Sequence, residues 1–342
     1  MRVCVIGTGV IGTIYGHLMT DAGHPVVHYV RGIDPVIAQD GIRIRLLDGR
    51  MPAAPEQEVR YRARLVKSLD PDDGYDLILA SVRHTQLSAL VPVLAAGAGK
   101  ADVLFFNNLW TGLGPIEAGL GRERYLWGFP VAGGGFRDGF LDAALLGDVH
   151  LGERDGRGTD RLARILALFD GCGLAVTLHT DMLPWLWTHF AIEAGVIGAA
   201  IKAGDPSVFL DSTDWLEQAV LAVREALTIV QARGVDCTAI VDAQPFFGPP
   251  EAVAAAIREQ YRVDRAARKI MERHTAHDEL QRIFFDVVET GRELKVEMPV
   301  LTALAPVRGR ARAGEGRGGS RLTDADGGLP RPRYASMTEV MI

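Results

Sequence analysis

Apolar and polar positions along the chain fall into two regimes. Up to about residue 180, short apolar runs alternate with helical stretches. Arg2 to Ile6 (RVCVI) reads as a buried parallel strand, because apolar, β-branched residues follow one another without alternation. A helix is expected over Ile11 to Asp21, closing at Ala22-Gly23-His24, and Val26 to Val30 reads as a second strand running into Arg31. Tyr75 to Val82 reads as a further core strand after the turn Asp70-Pro71-Asp72-Asp73-Gly74. A helix through Leu90 to Leu94 separates it from a strand, ADVLFFNN, that ends at Asn107-Asn108. Phe129 to Gly135 and Val149 to Gly152 suggest two more strands, with an antiparallel pairing left open, and Leu174 to Asp181 closes this part. From Met182 the character becomes helical: one helix with Pro184 in its first turn, then Thr213 to Ala232, Pro250 to His274 and Asp278 to Lys295. Past Leu304 the pattern dissolves into Gly, Arg and Pro, which reads as a disordered tail. The expected fold class is α/β, with a Rossmann-type dinucleotide-binding domain (1–180), an all-α C-terminal domain for substrate and catalysis (181–307) and the tail (308–342).

The first thirty residues carry the most specific signal. Strand, glycine turn, helix and strand follow one another, and this context turns a weak glycine pattern into a strong one. Gly7 lets the chain turn off the strand, Gly9 removes the side chain that would block a pyrophosphate, and Gly12, with Gly16 one turn later, lets the helix pack tightly. The backbone N–H groups around Thr8, Val10 and Ile11, at the positive end of the helix, would then hold phosphates. The end of the second strand separates the two nicotinamide cofactors. An NAD site places a carboxylate there for the ribose hydroxyls; this chain has Val30-Arg31-Gly32, and a guanidinium can grip a 2′-phosphate in bidentate fashion. NADP(H) is therefore the expected cofactor. Arg83, His84, Gln86 and Asn107-Asn108 follow later strands, on the edge of a parallel sheet where ligands bind.

Composition narrows the partners. A length of 342 residues allows about two domains of roughly 150 residues. With 48% hydrophobic and 23% charged residues the chain is not wholly disordered. No apolar run approaches the roughly 18–20 residues of a bilayer span, and the first residues do not read as a signal peptide, so no membrane partner is expected. A formal charge of −6 does not suggest nucleic acid. Three widely spaced cysteines (Cys4, Cys172 and Cys237) form no metal-type pair and fit a reducing, cytoplasmic setting. The dense cluster His274-Thr275-Ala276-His277-Asp278-Glu279 lacks the HExxH spacing. A helix start capped by Asp278, with solvated histidines, explains it more simply, and no metal is expected.

With these landmarks the chain resembles the ketopantoate reductase family from Met1 to about Leu304. Gly7, Gly9, Gly12, Gly16, Ala22-Gly23-His24 and Arg31 fit the family opening position by position. Arg83 and Gln86 take the places of a family Lys and Gln, and Asn107-Asn108-Leu109 corresponds to the family QNG turn, with Asn108 as its Asn near nicotinamide and substrate. The resemblance implies a catalytic Lys two residues after a Trp at the start of the first helix of the second domain, and an Asn one turn later. Trp187-Thr188-His189 places His189 at the Lys position and Glu193 at the Asn position. Glu279, about twenty residues before Pro299, matches the family's substrate-binding Glu; the family Ser-Met pair is replaced by Ala266-Ala267-Arg268, which argues against ketopantoate itself.

The resemblance implies NADPH-dependent reduction of a small 2-oxo acid or related carbonyl compound, with His189 giving the proton, Asn108 orienting and Glu279 contacting substrate hydroxyls. A His, with an unperturbed pKa of about 6.5, can supply that proton, and at i and i+4 His189 and Glu193 share a helix face. Two alternatives stand beside this one: an imine reductase in which Glu193 binds the amine, and an inactive NADP-binding homologue acting as sensor or scaffold. A homodimer is kept open as the assembly.

Overall fold

The computed structural model describes residues 1–153 and 155–306; the tail expected over 308–342 lies outside the described residues. In chain order the elements are β1 (Val3–Ile6), α1 (Val10–Asp21), β2 (Val26–Tyr29), α2 (Pro35–Asp40), β3 (Ile42–Asp48), β4 (Gln57–Tyr61), β5 (Leu65–Val66), β6 (Leu77–Ala80), α3 (Leu87–Gly97), β7 (Asp102–Phe106), α4 (Gly114–Gly119), β8 (Tyr125–Arg137), β9 (Phe140–Gly152), α5 (Asp160–Gly171) and β10 (Ala175–Leu178). Helices follow: α6 (Met182–Ala203), α7 (Pro206–Asp211), α8 (Thr213–Ala232), α9 (Pro250–Val263), α10 (Arg265–Arg273), α11 (His277–Glu293) and α12 (Pro299–Leu304).

The strands form one sheet in the order β4-β3-β9-β8-β7-β6-β1-β2-β5, with β10 pairing on β9. From β8 to β5 every pairing is parallel. Helices cover its faces, so β1, β6 and most of β7 are buried on consecutive residues, as their unbroken apolar sequences require. The expected strand ends shrink slightly: Tyr75 and Val82 fall outside β6. The strands suggested over 129–135 and 149–152 belong to a single long antiparallel hairpin, β8–β9, which turns at Asp138-Gly139. Both turn residues have positive φ (51° and 78°), the geometry for which Asp-Gly is suited. Pro130 lies where the ladder register shifts, so its missing donor falls at an irregularity.

The helical half buries its own core around Phe190, Phe209, Val223 and Phe284. One expected helix is two. The stretch from Pro250 to His274 breaks at Asp264, whose side chain accepts from Ala267 N at 3.0 Å and so starts α10 as its N-cap. α10 ties this half to the sheet. Ala266 and Ile270 pack on Leu47, Val131, Ala144 and Leu146, and Lys269 Nζ reaches Asp142 Oδ1 at 2.6 Å and Glu56 Oε2 at 2.5 Å. Arg273 Nε donates to the other Asp142 oxygen at 2.9 Å. Asp278 does not cap α11: the helix opens at His277 after Ala276, without a side-chain cap, and Asp278 lies in its first turn.

Candidate active site

At the carboxyl end of β1 the chain turns through Gly7, at φ +86°, a conformation that costs glycine little. Its N–H donates to Tyr29 O of the neighbouring strand at 2.8 Å. The carbonyl of Gly7 is held by His28, whose Nδ1 lies 2.7 Å away, while Nε2 lies 2.8 Å from the Tyr61 hydroxyl. Burial pushes the His28 pKa down, which favours the neutral ring with a single hydrogen. Since a carbonyl can only accept, that hydrogen sits on Nδ1 and Nε2 accepts from Tyr61. Nothing in the linear sequence marks this brace; it needs the tertiary approach of β4.

Gly9 precedes α1 without any side-chain cap. The first ladder bond of the helix runs from Thr13 N to Gly9 O at 2.9 Å, so the amides of Val10, Ile11 and Gly12 have no partner of that ladder. A Cβ on Gly9 would meet nothing within 4 Å, whereas one on Gly12 would press at 3.0 Å on Ser81 Oγ and Val5 Cγ1. Space above the turn and close packing beneath it are what a pyrophosphate site requires. The residues present therefore fit a dinucleotide.

The turn opens into a cleft of about 1180 Å³. Gly7, Thr8, Gly9, Val10, Ile11, Arg31, Arg83, Gln86, Asn108, Glu193 and Glu279 all line it, while Gly12 lies below. Arg31 is exposed at the mouth left by β2. Arg83 Nε approaches Glu279 Oε2 at 3.4 Å across the gap between sheet and helices. Burial raises the Glu279 pKa, with Glu193 adding and Arg83 opposing. His274 also lines the cleft, and burial lowers its pKa against the pull of Glu193. Its position follows from the end of α10, which the uninterrupted helix expected from sequence had hidden.

After β7, on the same sheet edge as the glycine turn, Asn108 Nδ2 donates to Glu193 Oε2 at 2.7 Å. His189 Nε2 stands 3.5 Å from Glu193 Oε1, as the i, i+4 spacing foresaw. Glu193 is the member of this pair that lines the cleft. His189 sits one turn deeper, fully buried, with its ring 4.3 Å from the Phe129 centroid and stacked 4.9 Å from Trp185. Trp185 is fixed by donation from Nε1 to Asp242 Oδ2 at 2.5 Å and carries His150 stacked at 4.2 Å. His150 Nδ1 meets His179 Nε2 at 2.8 Å. This column of rings behind Glu193 escaped sequence reading because it joins β9, β10 and α6. Among the described residues no group of three or more His, Cys, Asp or Glu is placed to hold a metal ion, and no helix is long and apolar enough to cross a membrane.

Residues 3–156 match the family model described as ketopantoate reductase PanE/ApbA. The 2-dehydropantoate 2-reductase of Vibrio cholerae is 24% identical over 314 residues, 89% of this chain and 95% of that protein. The chain is thus similar to the ketopantoate reductase family, by model over its first half and by one curated relative along most of its length. Solved structures extend the likeness in fold to the helical half. The 2-dehydropantoate 2-reductase of Geobacter metallireducens superposes with a TM-score of 0.66 at 18% identity, covering 89% of this chain and 98% of that one. A D-mandelate dehydrogenase in ternary complex with NADH and anilino(oxo)acetate superposes with a TM-score of 0.65 at 15% identity, covering 89% and 96%. The chain joins a Rossmann-type half to a helical half, the fold it shares with these structures.

Proposed function

We propose that the protein is an NADPH-dependent oxidoreductase that interconverts a small 2-oxo acid, or a related carbonyl compound, and its alcohol. The observation that carries this reading is one continuous cleft lined both by the open glycine turn and by the Asn108–Glu193 pair. The D-mandelate dehydrogenase of similar fold holds NADH and anilino(oxo)acetate, which supports the class of substrate. Arg31, where an NAD site would place a carboxylate, supports the phosphorylated cofactor.

The amides of Val10, Ile11 and Gly12 would hold the pyrophosphate and Arg31 the 2′-phosphate, with Arg83 and Gln86 beside them. When bound, the nicotinamide supplies or accepts the hydride. Asn108, on the loop after β7, orients the carbonyl group. Negative charge that develops on the substrate oxygen calls for a proton in step with it. The proton comes from His189, 3.5 Å behind Glu193, and passes to the cleft through the Glu193 carboxylate. His189 thus acts on the substrate through Glu193. Glu279, with Arg83 at its side, accepts from substrate hydroxyls. Phe129 and Trp185 enclose His189 and exclude water from this exchange.

The test is NADPH oxidation followed across a panel of 2-oxo acids, after NADPH uptake has been measured by calorimetry. Uptake with turnover of at least one 2-oxo acid or related carbonyl is the expected result. Tight uptake without turnover of any carbonyl compound would instead favour a sensor or scaffold.

A further inference from the structure

The substrate end of the cleft is short of positive charge. The polar side chains of the cleft linked to one another around Glu193 are Asn107, Asn108, Glu193, His274, Glu279 and Arg83. Arg83 is the one fixed cation of the six and already faces Glu279 at 3.4 Å. Burial favours the neutral ring of His274. Two acidic side chains, of which burial raises the pKa of Glu279, therefore stand against a single guanidinium.

The hydrogen-bonding groups have the same bias. Asn107 Nδ2 donates to Asn108 O at 2.7 Å and Asn108 Nδ2 to Glu193 Oε2 at 2.7 Å, which engages one N–H of each amide. The amide oxygens of both residues are buried and have no donor, and Asn107 as a whole is only 7% exposed. Buried acceptors without a partner are rare in folded proteins and call for a ligand or water. An ammonium offers three N–H donors and no acceptor, whereas a carboxylate offers only acceptors. A carboxylate placed here would face Glu193 and Glu279 and leave both amide oxygens unserved.

We propose that the substrate carries a protonated amine next to the carbon that exchanges hydride, so that the pair interconverted is an amino-substituted carbonyl compound and its amino alcohol. This rests on the hydride-transfer reading above and narrows its substrate. In the reduction, a C–H bond forms from the hydride of the reduced nicotinamide, which is thereby oxidised. The π bond of the carbonyl opens onto oxygen, which takes one proton from the Glu193–His189 pair, and water restores that proton. The ammonium nitrogen keeps its three hydrogens throughout, held by the amide oxygens and the carboxylates.

Three ketones of one skeleton separate the possibilities: aminoacetone, hydroxyacetone and pyruvate, which are cationic, neutral and anionic beside the same carbonyl. Each is given to the NADPH-loaded full chain, with calorimetric binding and NADPH oxidation read in parallel. Aminoacetone is expected to exceed the other two by about tenfold or more in binding and in kcat/KM, since hydrogen bonds to a charged donor are stronger than those between neutral groups. Glu193→Gln and, separately, Asn107→Leu should shrink that preference toward equality; if Glu193→Gln does not fold, Glu279→Gln takes its place. Preference for pyruvate or hydroxyacetone, an unchanged preference in the folded variants, or no binding of any ketone overturns the proposal. Selective binding of aminoacetone without turnover supports the ammonium site while removing the hydride-transfer reading. Faster turnover of pyruvate does the reverse.

Discussion

Glu193 touches both Asn108 from the sheet and His189 from its own helix, so one carboxylate joins the cleft to the buried rings. Replacing His189 with Ala should lower kcat by about 10²–10⁴-fold, the range of a lost proton donor, while NADPH affinity measured by calorimetry stays within a factor of about two. The pH profile of kcat should lose a limb in the same variant; equal losses of turnover and cofactor affinity would make the imidazole structural. Arg31→Glu should weaken NADPH by roughly tenfold or more against a small change for NADH, because a carboxylate repels the 2′-phosphate where the guanidinium bonded it. An unchanged ratio removes Arg31 from the site. The residues of both tests were legible in sequence because they stand at fixed offsets from a strand end or along one helix. His28, His274 and the Trp185–Asp242 bond were not, because each depends on a partner distant in the chain: Tyr61, the cleft wall and a turn more than fifty residues away.

At the level of elements, α1 separates binding from packing within four residues. Gly9→Ala places a methyl in open space and should leave stability within about 0.5 kcal/mol in urea titration, yet weaken NADPH by occupying the pyrophosphate's room. Gly12→Val drives its side chain into Ser81 and Val5 and should cost about 1–3 kcal/mol of stability. If both variants behave alike, the division of labour fails. Apolar runs and glycine turns made β1, α1 and β2 readable to within a residue or two. The hairpin β8–β9 carried its own mark, Asp138-Gly139, between two apolar stretches, a signal that a search for longer runs passes over. β3 and the edge strand β4 place charged residues between apolar ones (IRIRLLD, QEVRY), and β4 is largely exposed. The break at Asp264 was hidden because helical composition continues across it, and the cap shows only in the φ and ψ of one residue.

Across the whole molecule the buried ring column sets the response to acid. Burial pushes His150 down to about 2 and His179 down to about 4, from 6.5. The unfolded chain thus binds protons that the folded one refuses. Stability present above about pH 6.5 is lost as pH falls toward about 4. Asp148, pushed up by burial from 3.8 to about 6, acts in the opposite sense, costing stability above about pH 6 and none below about pH 3.8. Two histidines outweigh one aspartate, so the urea midpoint should drop between about pH 7 and about pH 5. His150→Gln with His179→Gln should flatten that drop, and Asp148→Asn should stabilise at about pH 8 but not at about pH 4; parallel curves for all three proteins would contradict these shifts. The two-part pattern of strands and then helices was visible along the chain, but the grip of α10 on β9 was not, since Lys269 and Asp142 lie 127 positions apart. That grip makes the halves poor candidates for separate lives. A truncated piece ending after β10 would bare Leu47, Val131, Ala144 and Leu146 to water and strand the carboxylates of Asp142 and Glu56. Such a fragment should be sticky and ill-formed when expressed alone, and the intact chain should melt in a single calorimetric step.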